Sequence, residues 1–433
     1  MRGLALLALI LLAGGAARGE DDRPGRPVAD PALQRKINQA IAKGVAFLKQ
    51  AQDPDGRWSP RNPGYQYQKG KLQFEAGLTA LATYALAASG VRSGDANIKR
   101  ALHWMETDGK AGFRPAAGYA TYCVSLYILA LTRINADRHQ AKIHDLARLL
   151  VRGQRDNGMW TYALLPRGPQ GGDNSNTQFA VVALWAAYSL ADFEVPATTW
   201  KRIWDLYDKT RAKNGGWGYG GRAAEYGTPT MTCAGLCGYV YASAALDGSR
   251  TALERARTSR TAEKGLDHLL RAAGVGYYRS PYFLYGLERA GTVMNADIRK
   301  WYTPAARFVV GRQHGSGGWG MQSTRPKAYP YDTSLVLLFL SRSTLPPRRG
   351  VTTPSDRAGK GVVSGSSFPD LMDPSPAARR SSQPRDPRSC ATSSASSEAT
   401  RSTAAKPPPI SWAACWTRRS TSSRKRRKRT GRR

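Results

Sequence analysis

The sequence predicts an all-α protein built as a closed ring of six helix pairs. Three observations carry this prediction. One short pattern recurs along the chain at fixed offsets. An apolar, helix-like stretch follows every copy. Six copies can be counted, a number that favours closure over an open-ended superhelix.

The first copy reads Lys43-Gly44, Phe47-Leu48, Gln52, then Gly56-Arg57-Trp58. The third places Leu149-Leu150, Gln154, Gly158 and Trp160 at the same offsets, and the last places Phe308-Val309, Gln313, Gly317 and Trp319 there. The fourth is Leu206-Tyr207, Arg211, Gly215 and Trp217. Two copies are degenerate. In one, Ala101 to Phe113, a phenylalanine takes the tryptophan place. The other runs from Lys264-Gly265 through Leu269-Leu270 to Tyr277-Tyr278, with a shortened turn.

The segments before these anchors mix Lys and Arg with Leu and Ile, as an amphipathic helix does. Those after them, at 74–89, 119–134, 177–192, 230–246, 280–290 and 333–342, are apolar nearly all round. A helix apolar on every face has to be buried on every face. Each unit therefore reads as a half-exposed outer helix, a Gly-Trp turn and a buried inner helix. The turn glycine is expected to end the outer helix in a left-handed conformation. The tryptophan is expected to cover the joint between units.

Outside the ring, residues 1–19 read as a secretory leader: Arg2, an apolar run to Leu12, then small residues. Residues 20–32 read as a linker, 33–343 as the ring and 344–433 as an Arg/Ser/Pro-rich disordered tail. The tail is basic, with 20 Lys and Arg against 5 Asp and Glu from residue 345 on, and takes much of the chain's formal charge of +34. Its abrupt composition is also what an out-of-frame extension of a GC-rich gene would give. The leader implies a secreted or periplasmic protein. Five cysteines in 433 residues exclude a disulfide scaffold. Past the leader, no apolar run approaches the ~20 residues of a membrane helix.

The pattern Lys43-Gly44, Phe47-Leu48, Gln52, Gly56-Arg57-Trp58 resembles the QW motif of squalene and oxidosqualene cyclases, a unit that recurs in protein prenyltransferase β subunits. The resemblance spans roughly 33–343 and implies an (α/α)6 toroid, six inner helices around a central cavity with six outer helices around them. The segments 173–178, 230–235 and Tyr282 to Arg289 further resemble uncharacterised secreted bacterial squalene-cyclase-like proteins.

The chemistry of those families is not matched. The D-x-D-D acid of the cyclases is missing, as is a D-D-x-x-D diphosphate site. Placed on the zinc ligands of the prenyltransferases, this chain offers Arg279, Pro281 and Asp332, and neither arginine nor proline ligates zinc. No metal and no cofactor is expected. The inner-helix starts remain. They carry Glu75, Tyr119, Tyr122, Asp173, Asn176, Tyr226, Thr230, Tyr278, Tyr282, Tyr331 and Asp332, with Cys233 close behind. Asp and Asn at such places serve equally as helix N-caps. The tyrosines suit either a pocket wall with polar tips or plain packing between helices. Asp173 and Asp332 are the acid/base candidates, provided they converge.

Three functions follow as expectations. The first is a protein binding an apolar or elongated, lipid-like ligand in the ring. The second is a terpenoid cyclase or prenyltransferase-type enzyme with non-standard acids. The third is attachment to nucleic acid or an anionic surface through the basic tail, with no specific nucleic-acid partner expected.

Overall fold

The computed structural model describes residues 30–60, 72–165, 171–249, 251–321 and 327–344. The leader, most of the linker and the tail from 345 on lie outside these residues. Fourteen α-helices are described: α1 Pro31–Ala51, α2 Leu72–Ala88, α3 Ala96–Glu106, α4 Ala120–Asn135, α5 Gln140–Gly153, α6 Asn174–Leu190, α7 Ala197–Lys209, α8 Pro229–Asp247, α9 Ala252–Arg257, α10 Arg260–Ala272, α11 Val275–Tyr278, α12 Pro281–Val293, α13 Ile298–Val310 and α14 Pro330–Leu340. The described residues contain no β-strand.

Helices α2, α4, α6, α8, α12 and α14 form the inner layer, each packed on the next and α14 back on α2. The expected apolar stretches are these helices, with starts displaced by three residues at most. Their faces are buried nearly all round, from Phe74 to Ala88 in α2 and from Pro330 to Leu340 in α14. The outer helices bury one stripe, as α5 does with Ile143, Leu146, Ala147 and Leu150. The fold is an all-α (α/α)6 toroid.

The repeat residues make the joints. Each repeat tryptophan is buried and donates its indole N–H to a carbonyl ten residues back: Trp58 to Leu48 (2.9 Å), Trp160 to Leu150 (2.8 Å), Trp217 to Tyr207 (2.7 Å) and Trp319 to Val309 (3.0 Å). Its backbone N–H is received by an inner-helix threonine, Thr79, Thr177, Thr232 or Thr333, so one residue pins turn, outer helix and inner helix together. The glutamines tie each unit to the next. Gln52 Nε2 donates to Gly56 O and to Asn97 O of the following outer helix. Gln154 donates to Gly158 O and to Thr199 O. Gln313 does the same with Gly317 O (2.6 Å) and Ala40 O (2.8 Å), and Ala40 belongs to α1. The last unit thus grips the first, and the ring is closed. Ser89 after α2 and Ser341 after α14 hydrogen-bond at 3.1 Å across the same seam.

Two expectations at the turns are corrected. The turn glycine does not end the outer helix: α1 ends at a C-cap Gln52 and α5 at Gln154, both in extended backbone. The glycine sits farther on at positive φ, 100° at Gly56, 84° at Gly158, 88° at Gly215 and 90° at Gly317. There a Cβ would come within 3.0 Å of a carbonyl on the next outer helix, that of Arg100, Arg202, Lys264 or Lys43. Glycine serves both the turn's handedness and the close approach of the neighbouring unit. In the degenerate fifth unit, Tyr277 is 38% exposed on the four-residue α11, while Tyr278 is the buried ring, against Phe308.

Candidate functional site

All six inner helices start at one end of the ring. Asp173 N-caps α6 there. Its Oδ1 accepts from the backbone N–H of Ser175 and Asn176 (both 2.9 Å) and from Ser175 Oγ (2.5 Å), and its Oδ2 accepts from Asn176 Nδ2 (2.9 Å). Both oxygens are engaged in the cap, the role an aspartate serves at a helix start. The network continues outward. Tyr122 Oη on α4 donates to Ser175 Oγ (2.8 Å), and Tyr219 Oη lies 3.1 Å from the same hydroxyl.

One turn deeper the ring is crossed by side chains. Tyr282 Oη on α12 donates to Gln178 Oε1 on α6 (2.8 Å). Phe179 stacks on Tyr285 at 5.1 Å between centroids and meets Tyr122 edge-on at 5.1 Å. Since α8 lies between α6 and α12 in the ring, these contacts span its middle. The expected central cavity is occupied at this level by aromatic rings. Burial raises the Tyr122 and Tyr282 phenols well above their ordinary value, leaving both as neutral donors. The same burial leaves three amide atoms on α6 without a partner: Asn174 Oδ1, Asn176 Oδ1 and Gln178 Nε2.

Asp332 is the other acid candidate, and the structure keeps it apart from Asp173: α14 and α6 face each other across the ring, and no hydrogen bond or ion pair joins the two residues. Asp332 lies in the first turn of α14, fully buried. Its Oδ2 accepts from the Met321 N–H (3.1 Å), and its Oδ1 has no partner. Desolvation pushes its carboxyl up to about 7, against which the Met321 hydrogen bond works weakly.

The remaining predicted residues divide. Glu75 is buried with Arg57 Nε 3.5 Å away. Tyr119 stands at the N-cap of α4 and packs edge-on against Phe74 and Tyr162. Tyr331 is buried, Thr230 half-buried. Cys233 is fully buried where a Cβ on Gly286 would touch it, and desolvation holds its thiol well above the usual range. Tyr226 is 68% exposed, so its place in a cavity wall is withdrawn: it sits on the loop before α8 and not on the helix. Tyr278 is buried and packs against Phe308 of the outer helix α13.

The sequence reading missed two groups. Ser175, Gln178, Phe179 and Tyr219 complete the network; for Ser175 and Gln178 the signal was a polar run inside an otherwise apolar helix, and Tyr219 lies on the turn before α8. The second is the pair Glu288–Arg289 on α12, both fully buried in the ring's opposite half. Arg289 Nη1 donates to Glu288 Oε2 (2.8 Å), and Nη2 donates to Tyr84 Oη on α2 (2.7 Å). Glu288 also accepts from Thr344 N (3.1 Å) and Thr344 Oγ1 (2.9 Å). A charged pair within a helix that the pattern requires to be buried was the visible clue.

Among the described residues there is no cluster of ligands suited to a metal, and no helix is long and apolar enough to cross a membrane. No family model and no curated protein matches the chain. Solved α/α toroids align with most of it. An inactive α-1,6-mannanase variant from Salegentibacter sp. HEL1_6, in complex with α-1,6-mannotriose, is 12% identical with a TM-score of 0.50 and covers 71% of this chain and 99% of that one. A type II terpene cyclase variant from Scytonema, in complex with geranylgeranyl dihydroxybenzoate, is 14% identical with a TM-score of 0.45 and covers 72% and 98%. A possible GH105 family member from Salmonella enterica is 12% identical with a TM-score of 0.47 and covers 73% and 96%. The likeness to the mannanase is one of fold alone and leaves the activity open.

Proposed function

We propose that this chain is a secreted or periplasmic binding protein of the squalene-cyclase-like kind. Its ligand is an apolar, elongated molecule with a polar head, held where the inner helices begin. One observation carries the reading: buried, unpartnered amide atoms of Asn176 and Gln178 set among aromatic rings. A buried polar atom without a partner costs about 1–3 kcal/mol. A ligand hydroxyl or carbonyl recovers that cost, while Phe179, Tyr282 and Tyr122 offer apolar faces to a chain. Because the middle is crossed by rings, the ligand enters from the mouth and not through an open bore. On this reading the leader serves export and the ring is the binding domain.

The test uses geranylgeraniol, with α-1,6-mannotriose as the contrasting probe, followed by calorimetric titration. Saturable binding of geranylgeraniol alone is expected. The double variant Gln178→Leu with Tyr282→Phe removes the unpartnered Gln178 Nε2 together with the Tyr282–Gln178 hydrogen bond and leaves Asn176 in place. It is expected to melt at or above the wild-type temperature yet bind about tenfold more weakly, a loss of ~1.4 kcal/mol. Mannotriose binding in place of geranylgeraniol, or binding unchanged in the double variant, would remove the basis of the proposal.

A second reading, an enzyme of the terpenoid-cyclase type, rests on Asp332. A carboxyl near 7 with a free oxygen is poised to give up a proton around neutral pH. Its mark would be a cyclised product from squalene or a prenyl diphosphate that disappears in Asp332→Asn.

A further inference from the structure

Large apolar or aromatic side chains are exposed at six places among the described residues, and five of these fall on one sector of the mouth. Leu165 lies before α6, Tyr219 and Tyr226 before α8, and Val275 and Tyr277 on α11 before α12, all between 38% and 68% exposed. Helices α6, α8 and α12 are consecutive in the inner layer, so their leading loops are neighbours on the rim. Direct contacts join those loops. Asn174 at the start of α6 donates its backbone N–H to Tyr219 O (2.9 Å) and its Nδ2 to Gly218 O (2.6 Å). A Cβ on Gly221 would come 2.8 Å from Met159 Sδ, and one on Gly216 would come 2.6 Å from His268 Cδ2 on α10, the helix that leads into α11. Single exposed apolar residues are ordinary on a protein surface, whereas a cluster confined to one face marks a contact. The same loops are basic. Residues 210–228 and 273–280 hold Arg211, Lys213, Arg222 and Arg279 against Glu225 alone, and Lys213, Arg222 and Arg279 are exposed.

We propose that this sector of the rim docks on an anionic lipid surface. Tyrosine suits that place, with an apolar ring for the acyl boundary and a polar tip for the headgroups. The neighbouring Lys and Arg side chains meet the negative headgroups. Charge argues against the two occupants nearest to hand. The chain's own tail, with 20 Lys and Arg against 5 Asp and Glu, has the same sign as the rim, and so has the rim of a second copy. The apolar side chains stand on three separate loops rather than along one groove, which matches a broad surface better than a single docked helix or strand. Contact is through loop tips and turns the end where the inner helices begin toward the lipid. Docking of this kind does not require the ring to hold the ligand proposed above.

The test is hydrogen–deuterium exchange of the full chain with vesicles of phosphatidylcholine mixed with phosphatidylglycerol, and with polyglutamate as a soluble polyanion. Exchange is read peptide by peptide, which separates the rim from the basic tail. Slower exchange at 219–228 and 274–279 is expected with the vesicles alone, with no change at 89–95, where α2 ends on the opposite side of the ring. The double variant Arg222→Glu with Tyr226→Ser changes two exposed side chains outside the core. It is expected to raise the lipid concentration for half-protection of 274–279 about tenfold, with the melting temperature unchanged. The proposal is overturned by vesicles that slow exchange in the tail only or nowhere, or by a variant that docks as the wild type does. Equal protection by polyglutamate would also overturn it, in favour of an acidic macromolecule.

Discussion

Asp332→Asn is expected to make the protein more stable at pH 8 by about 4 kcal/mol, the worth of a carboxyl raised from 3.8 to about 7 at ~1.4 kcal/mol per unit. The sign follows from proton binding. The folded chain holds the Asp332 proton more tightly than the unfolded chain does. Between pH 4 and 7 the folded state therefore carries more protons, and its stability falls as pH rises. Below about pH 4 the carboxyl is neutral in both states, and wild type and variant should agree. Above pH 7 the wild type holds a buried charge whose Oδ1 no group receives. Asparagine keeps an oxygen for the Met321 N–H and never ionises. Urea unfolding of both proteins from pH 4 to 8 measures the difference. A gap that opens with pH supports the buried carboxyl, whereas a constant gap would show that Asp332 is solvated and ordinary. The same experiment bears on the enzymatic reading, which needs this proton.

The second large effect is expected at Arg289. Replacing it with methionine leaves Glu288 buried without its counter-ion, a loss of about 3–5 kcal/mol by analogy with broken buried pairs. The double change Glu288→Gln with Arg289→Met should recover much of this, since it removes both charges together. The pair links α12 to α2 through Tyr84 and to the end of the ring through Thr344, so it acts on closure as well as on local packing. Two single variants and the double variant in one denaturation series give the coupling energy. Additive effects would mean that the pair is not a pair in solution.

Much of the ring was legible in the sequence because a repeated unit repeats its physics. Four turns need the same glycine handedness and the same indole donor, so Gly56, Gly158, Gly215 and Gly317 stand at fixed distances from their tryptophans. The threonines that receive the tryptophan N–H are just as regular in space, but turns of different length precede them, and a search by offset passes over Thr79, Thr177, Thr232 and Thr333. Gln52, Gln154 and Gln313 were visible as letters, yet their second bond, to the next outer helix, is a fact of three dimensions.

The candidate site was legible only in part. Asp173 and Asp332 look alike in a sequence, each at the start of an apolar helix. Neighbouring hydroxyl, amide and backbone groups decide that the first is a satisfied cap, and desolvation decides that the second is not. Tyr226 failed as a wall residue because helix α8 begins at Pro229, three residues later, and the loop carries it outward. Gln178 and Arg289 gained their meaning from partners on distant helices, Tyr282 and Tyr84, which no spacing rule connects to them.

Closure of the ring is the claim on which the mouth, the crossing rings and the docking rim all depend. Ser89 and Ser341 lie on its seam with their hydroxyls 3.1 Å apart. Replacing both with cysteine and oxidising the purified protein under dilute conditions should join them in an intramolecular disulfide, seen by mass spectrometry as a linked peptide pair from the two ends of the described chain. An open superhelix would hold these positions far apart, and two free thiols after oxidation would contradict the closed ring.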